Sequence, residues 1–188
     1  MRYSPSRKED TRQLLLEAGA AEIKRHGFAA TGVDRIMQAA GLSGGALYAH
    51  FSGKNALLVA IVAAELEKSV RLLTGKPEES AAEALPRCLD RYLSLEHVQQ
   101  PERGCILPAL AAELGRADAE VKAEVSKATR EFVAFWGAKL GKREAAELLL
   151  SQCVGAIVMA RMMDDEARQQ SLLDASKAFL LKQLLPVQ

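Results

Sequence analysis

The residues able to do chemistry are few, and their spacing rules out most chemistry. Three histidines (His26, His50, His97) and three cysteines (Cys88, Cys105, Cys153) are dispersed through 188 residues. They form no Cys-x-x-Cys pair and no ligand spacing, so no metal is expected, and an odd cysteine count is not a disulfide framework. Gly41-Leu42-Ser43-Gly44-Gly45 has the spacing of neither a phosphate loop nor a dinucleotide fingerprint. Ser43 lacks the strand–turn–helix setting of a nucleophile elbow. No catalytic residue and no cofactor are expected, and the chain does not read as an enzyme. Cys105 stands apart. In Arg103-Gly104-Cys105-Ile106-Leu107-Pro108 it falls at the start of a helix beside Arg103, and both features favour a thiolate. A small buried side chain is the plainer reading of the same residue. A second group of hydroxyls, cations and rings lies within residues 31–54: Thr31, Arg35, Ser43, Tyr48, His50 and Lys54. Those types suit contact with phosphate oxygens and base edges.

The elements that must position these residues are helices. Ala and Leu abound, aromatic residues make up 5% of the chain, and no segment has the alternation of a strand. Ser6-Arg7-Lys8-Glu9 has the form of a capping box, and a helix with Leu15, Leu16, Ala18, Ala21 and Ile23 runs from it to His26-Gly27. Thr31-Gly32-Val33-Asp34 opens a short second helix carrying Val33, Ile36, Met37 and Ala40, which Gly41 stops. Ser43 is placed to cap a third short helix containing Leu47 and Phe51. A long fourth helix spans about 55–73. After Thr74-Gly75-Lys76-Pro77 the spacing predicts helices near 78–98, 104–115, 118–140, 143–163 and 165–185.

The second and third helices, joined by Ala40-Gly41-Leu42-Ser43, have the outline of a helix-turn-helix: Gly allows the sharp turn and Leu42 plugs the angle. From that tetrapeptide alone, a plain corner between bundle helices is an equal reading. The wider pattern separates the two. Residues 28–57, from Phe28-Ala29-Ala30-Thr31-Gly32-Val33-Asp34-Arg35-Ile36 through Gly41-Leu42-Ser43-Gly44-Gly45-Ala46-Leu47-Tyr48-Ala49-His50-Phe51 to Lys54 and Leu57, closely resemble the signature of the tetracycline-repressor (TetR) family. The resemblance covers the N-terminal quarter and implies an all-α chain. Residues 1–53 would form a three-helix DNA-binding domain, and 54–188 a helical effector-binding and dimerisation domain. It implies DNA contacts by Thr31, Gly45, Tyr48, His50 and Lys54, and Arg35, Ser43 and Gly44 are expected to contact DNA beside them. The chain also departs from the family pattern. Gly44 stands where many members carry Lys or Arg, Ala46 where they carry Thr or Ser, and Ala49 where an aromatic or polar residue is frequent. Met37 replaces a usual Ala. A recognition face of Gly and Ala offers backbone amides and methyl contact but no bidentate base readout. Arg35 and an N-terminal arm (Arg2, Arg7, Lys8) are therefore expected to take more of the contact, and selectivity to lean on DNA shape.

Charge distribution agrees in direction. The net charge is only +1, but Arg2, Arg7, Lys8, Arg12, Lys24, Arg25, Arg35 and Lys54 outweigh the acidic residues of the first 54 positions, and the remainder is slightly acidic. No signal sequence is evident, and the apolar runs 56–64 and 153–160 are too short to cross a bilayer, so a cytoplasmic protein is expected. Residues 145–163 are apolar nearly all round and must be covered on several sides. With 165–185 they are the expected homodimer surface, a pairing the family resemblance also implies. An unknown small-molecule effector would act among the middle helices. Tyr92, Cys105, Phe132, Trp136, Met159 and Arg161 are the candidate lining residues, with Trp136 and Tyr92 foremost because a buried indole or phenol needs a polar partner. The function expected is a ligand-responsive, dimeric regulator of transcription, in the family's usual sense a repressor released from a palindromic operator by its inducer. Two alternatives stand beside it: a thiol- or electrophile-sensing regulator acting through Cys105, and a helical ligand-binding module whose DNA binding has degraded.

Overall fold

The computed structural model describes residues 5–185, apart from the side chains of residues 5–7 and any detail of the Gly44 position beyond its backbone. The expected arm residue Arg2 and the side chain of Arg7 lie outside the described residues. Among the described residues there is no strand, and the order is α1 (Pro5–His26), α2 (Val33–Ala39), a 3-10 helix η1 (Gly44–Ala49), α3 (Lys54–Leu73), α4 (Ala81–Tyr92), α5 (Leu95–Gln99), α6 (Ile106–Arg116), α7 (Ala119–Leu140), α8 (Arg143–Arg161) and α9 (Glu166–Leu184). No helix among these is long and apolar enough to cross a membrane.

Local signals account for most of the boundaries. Ser80 and Glu83 form a reciprocal capping box on α4, and Asp118 and Asp165 accept backbone amides at the starts of α7 and α9. The α7–α8 junction turns at Gly141. Three expectations needed correction. Helix α1 begins at Pro5, so Ser6 lies inside the first turn and not at the cap; proline suits that first position because its missing N–H would have no partner there. The predicted helix over 78–98 is two helices. It breaks at Leu93-Ser94 because His97 Nδ1 takes the Tyr92 carbonyl (2.7 Å) and the Ser94 hydroxyl starts a new turn by accepting from the His97 amide (3.3 Å). The third correction is η1, a 3-10 segment where an α-helix was expected. Gly44 and Gly45 are poor helix formers, and Ser43, though at the N-cap position, makes no side-chain cap bond.

Two apolar cores are built. The first gathers Leu15, Leu16 and Ile23 of α1, Ile36 and Met37 of α2, and Leu47 and Phe51 of the η1 region. It continues through Leu57, Ile61 and Leu66 of α3 to Ile106, Leu110 and Leu114 of α6. The second holds Leu85, Leu89 and Tyr92 with Phe132, Trp136, Leu149, Cys153, Ile157, Leu173 and Leu180. Packing therefore does not divide at residue 53: α3 and α6 belong to the same core as the helix-turn-helix. The Trp136 indole N–H donates to the Leu73 carbonyl (3.0 Å), satisfying an orphan acceptor at the end of α3.

Candidate DNA-binding surface and effector cavity

Turn geometry in the helix-turn-helix follows from one residue. Gly41 has φ +66°, where a side chain would be strained. Its amide donates to the Gln38 carbonyl (3.0 Å) and that of Leu42 to Met37 (2.9 Å), closing α2. Ile36, Met37, Leu47 and Phe51 are buried and hold α2 against η1. This leaves Tyr48 72% exposed, with Gly45 and Ala49 also exposed beside it. That outward face is the one the sequence expected to be poor in hydrogen-bonding groups.

The other expected DNA contacts are placed less uniformly. His50 is half-buried and its Nδ1 has no hydrogen-bond partner among the described residues. Lys54 donates to the Phe28 carbonyl (3.1 Å) and lies 4.4 Å from the centre of the Phe28 ring, so it ties α3 to the α1–α2 turn. Thr31 is fully buried and its hydroxyl donates to the Gly27 carbonyl (2.7 Å). In this conformation it holds the turn and does not reach the surface. Arg35 is half-exposed but engaged: Nε donates to Glu22 (2.5 Å) and Nη2 lies 2.6 Å from His26 Nε2. Its charge is offset from within the domain.

Behind this surface the helix-turn-helix region is bonded to the rest of the chain. Lys24, buried on α1, pairs with Glu65 of α3 (2.6 Å) and also donates to the Gly104 carbonyl (3.1 Å). Glu113 of α6 accepts from the amides of Phe28 (3.1 Å) and Ala29 (2.9 Å). Asn55 donates to Asp118 (2.7 Å), and Arg25 lies 3.3 Å from Glu102.

Next to the Lys24 link is a cavity of about 260 Å³ between the C-terminal half of α3, the end of α4, α5 and the loop 103–105. Tyr92 and Cys105 line it. Phe132 lines two smaller inner voids of about 20 Å³ each, and Trp136 lines one of them. Trp136 has its polar partner in Leu73, so it needs none from a ligand. The Tyr92 hydroxyl is buried with no hydrogen-bond partner among the described residues, and burial keeps it protonated well above the ordinary phenol range. Met159 is 51% exposed, on the outward side of α8 and away from the cavity. Arg161 is also off the wall: its guanidinium donates to the carbonyls of His97 (2.7 Å) and Val98 (3.3 Å) and caps α5. Neither lines this cavity. The exposed stripe of Glu144, Glu147 and Ser151 on α8 continues to Met159 and marks that side as outward.

His97, Lys68, Arg91 and Lys24 were missed. His97 supports the cavity floor. Its Nδ1 donates to the Tyr92 carbonyl and its Nε2 accepts from the Cys105 amide (3.0 Å), which together define a neutral tautomer. Burial lowers its pKa from 6.5 to about 4. Gly104 packs so closely on this ring that an added Cβ would collide with it. Of these residues only Lys24 left a legible signal. It follows Leu16 and Ala20 at four-residue steps and so falls on the buried face of α1. Cys105 is the N-cap of α6, as expected, but the Arg103 guanidinium is turned to Glu96 (3.5 Å), which spends one of the two features thought to activate the thiol.

Comparison with known proteins gives the context for this arrangement. The family model for bacterial regulatory proteins of the tetR family matches residues 15–61. A comparison with curated protein sequences found no match. Among solved structures, the reduced form of Escherichia coli NemR is 22% identical, covering 92% of this chain and 96% of its own, with a TM-score of 0.71. A TetR-family transcriptional regulator from Agrobacterium tumefaciens is 18% identical, with coverage of 94% and 98% and a TM-score of 0.78. A TetR regulator from Legionella pneumophila is 18% identical, with coverage of 98% and 100% and a TM-score of 0.77. The tetR-family model thus matches the segment that holds the helix-turn-helix, and these structures share the fold of nearly the whole chain.

Proposed function

We propose that the chain acts as a homodimeric repressor whose hold on a palindromic operator is released when a small molecule enters the cavity at Tyr92 and Cys105. The observation that carries this reading is the position of Lys24. One ammonium group on a DNA-binding helix is bonded at once to Glu65 and to the Gly104 carbonyl, and both of those residues line the cavity. A ligand that displaces either group changes the seating of α1, and with it the separation of two recognition segments in a dimer. Half-sites demand a fixed spacing, so a small change costs affinity. The dimer is supported by Leu148 and Met159 of α8, Met162 just past its end, and Phe179 of α9, large apolar side chains left exposed on the pair of helices where the interface was expected.

The test is a gel shift on the DNA upstream of the gene, with sedimentation of the same preparations. The dimer is expected to retard a pseudo-palindromic fragment, and Phe179→Glu to yield a monomer that does not. Ser69→Trp, which fills the cavity, is expected to change operator affinity. Retardation by a monomer, or a filled cavity with unaltered affinity, would refute the corresponding part.

One observation favours a second reading. Cys105 lines the cavity, and its amide is held by His97. Adding an electrophile to its thiol would therefore perturb the same floor that a reversible ligand would. If alkylation of Cys105 is complete and DNA binding is unchanged, the thiol has no sensing role.

A further inference from the structure

Given that this cavity is the effector site, we infer that it takes a small organic anion with an apolar body and, at the end away from its charge, a hydrogen-bond acceptor. Charge comes first. The wall carries Glu65 and Glu96 against Lys68, Arg91 and Arg103. Glu65 is paired with Lys24, and Glu96 with Arg103. Lys68 and Arg91 have no carboxylate partner among the described residues, so two cations at the mouth are uncompensated. Both are exposed. A ligand carboxylate is bound most cheaply there, half-solvated, because burying it deeper would cost its hydration. A cationic ligand would meet like charge.

Further in, the wall becomes apolar at Leu72 and Leu73. The side-chain donors beyond them are almost all committed. The Ser69 hydroxyl donates to the Glu65 carbonyl and that of Ser94 to the Arg91 carbonyl. Both ring nitrogens of His97 are in use. The Tyr92 hydroxyl remains, buried, with the weak Cys105 sulfur beside it and no oxygen or nitrogen partner among the described residues. A buried phenol in that state gains most from an acceptor brought in by a ligand. Tyr92 and Leu73 also border both inner voids, which gives the apolar body room to settle past them. The cavity is smaller than the roughly 300–1,000 Å³ of sites for drug-sized molecules, so a single-ring compound fits the space.

Three single-ring probes separate the possibilities: 4-acetylbenzoate, its uncharged isostere 4-acetylbenzamide, and the cation 4-acetylbenzylammonium. Each is titrated into the full chain, by calorimetry and by the fluorescence of the single tryptophan, Trp136. The carboxylate should bind about tenfold or more tighter than the amide, and the cation should not bind. A Lys68→Gln, Arg91→Gln double variant should bring the carboxylate down to the amide. Tyr92→Phe should weaken 4-acetylbenzoate about tenfold and leave benzoate, which lacks the second acceptor, unchanged. A merely structural role for Tyr92 would weaken both. An amide or cation that binds as well as the carboxylate overturns the anionic class and leaves the effector site standing. Failure of the carboxylate to bind overturns the inference as well. The effector reading itself is decided separately, by the response of DNA affinity to Ser69→Trp.

Discussion

The two faces of the helix-turn-helix region are built on opposite plans. Its outward face presents Tyr48 amid Gly45, Ala46 and Ala49, and Arg35 of α2 is held by Glu22. Its inward face is specified atom by atom. Lys24 is clamped between Glu65 and Gly104, Glu113 accepts two backbone amides, and Asn55 is bonded to Asp118. The first face can read methyl groups, phosphates and groove shape, each tolerant of small displacement. The second sets where that face stands relative to the cavity. Under the proposed function, the difference implies that DNA selection rests on placement more than on side-chain readout. Mutations behind the surface should therefore matter as much for DNA binding as mutations on it.

The largest expected effect is at Lys24. Lys24→Met leaves Glu65 buried without its partner and should destabilise the fold by about 3 kcal/mol or more, read by urea unfolding. A loss below about 1 kcal/mol would mean the inward face is no more specified than the outward one.

Next is the pH response of His97. Its pKa is about 4 when folded and 6.5 when free, so between those values the unfolded chain binds more protons. Its neutral form contributes stability that is complete above pH 6.5 and is lost as pH falls toward 4. The shift is worth about 3 kcal/mol at most. His97→Gln should flatten the acid limb of stability against pH; an unchanged limb would remove His97 from the floor of the cavity.

Third, Glu113→Gln weakens two charge-assisted bonds to Phe28 and Ala29 and should cost about 1–2 kcal/mol. It should also lower operator affinity although the residue is not itself among the expected DNA contacts. An effect on stability alone would uncouple the two faces.

The smallest effects are on the outward face. Tyr48→Ala and Arg35→Ala should each weaken operator binding by about 1 kcal/mol, and Arg35→Ala should lower the salt slope by about one. Glu22→Gln should strengthen binding by releasing Arg35. If both alanine variants bind as the parent does at moderate salt, this is not the DNA face.

Much of this was legible in the residues, for reasons of range. Asp118 and Asp165 stand where helices were predicted to start, and Gly41 marks the turn, because a cap or a turn is decided within four residues. The 3.6-residue period exposed the core faces of α1 and α2. Where local preferences were weak, the reading slipped: two adjacent glycines left η1 in the 3-10 form, and His97 reached back to break α4 from α5. The cavity was half legible. Tyr92 and Cys105 were named from chemistry alone, whereas Lys68 and Arg91 look like any solvated charge until the fold brings α3 and α4 around one space. Met159 continues the exposed stripe of Glu144, Glu147 and Ser151 on α8, a period the apolar reading of 145–163 passed over, and Arg161 was drawn to α5 by carbonyls distant in sequence.

By itself, then, the sequence determined the helical class, nearly every helix boundary, the helix-turn-helix and the barrenness of its outward side. Each of these depends on residues a few positions apart. Only the tertiary structure decided that Lys24 reaches Glu65 and Gly104, that Glu113 holds Phe28 and Ala29, and that His97 stands under Cys105. The first two links span 41 to 85 residues. The third is local in sequence, yet it forms only because the helices packed around α5 bury the ring and leave it no water to bond.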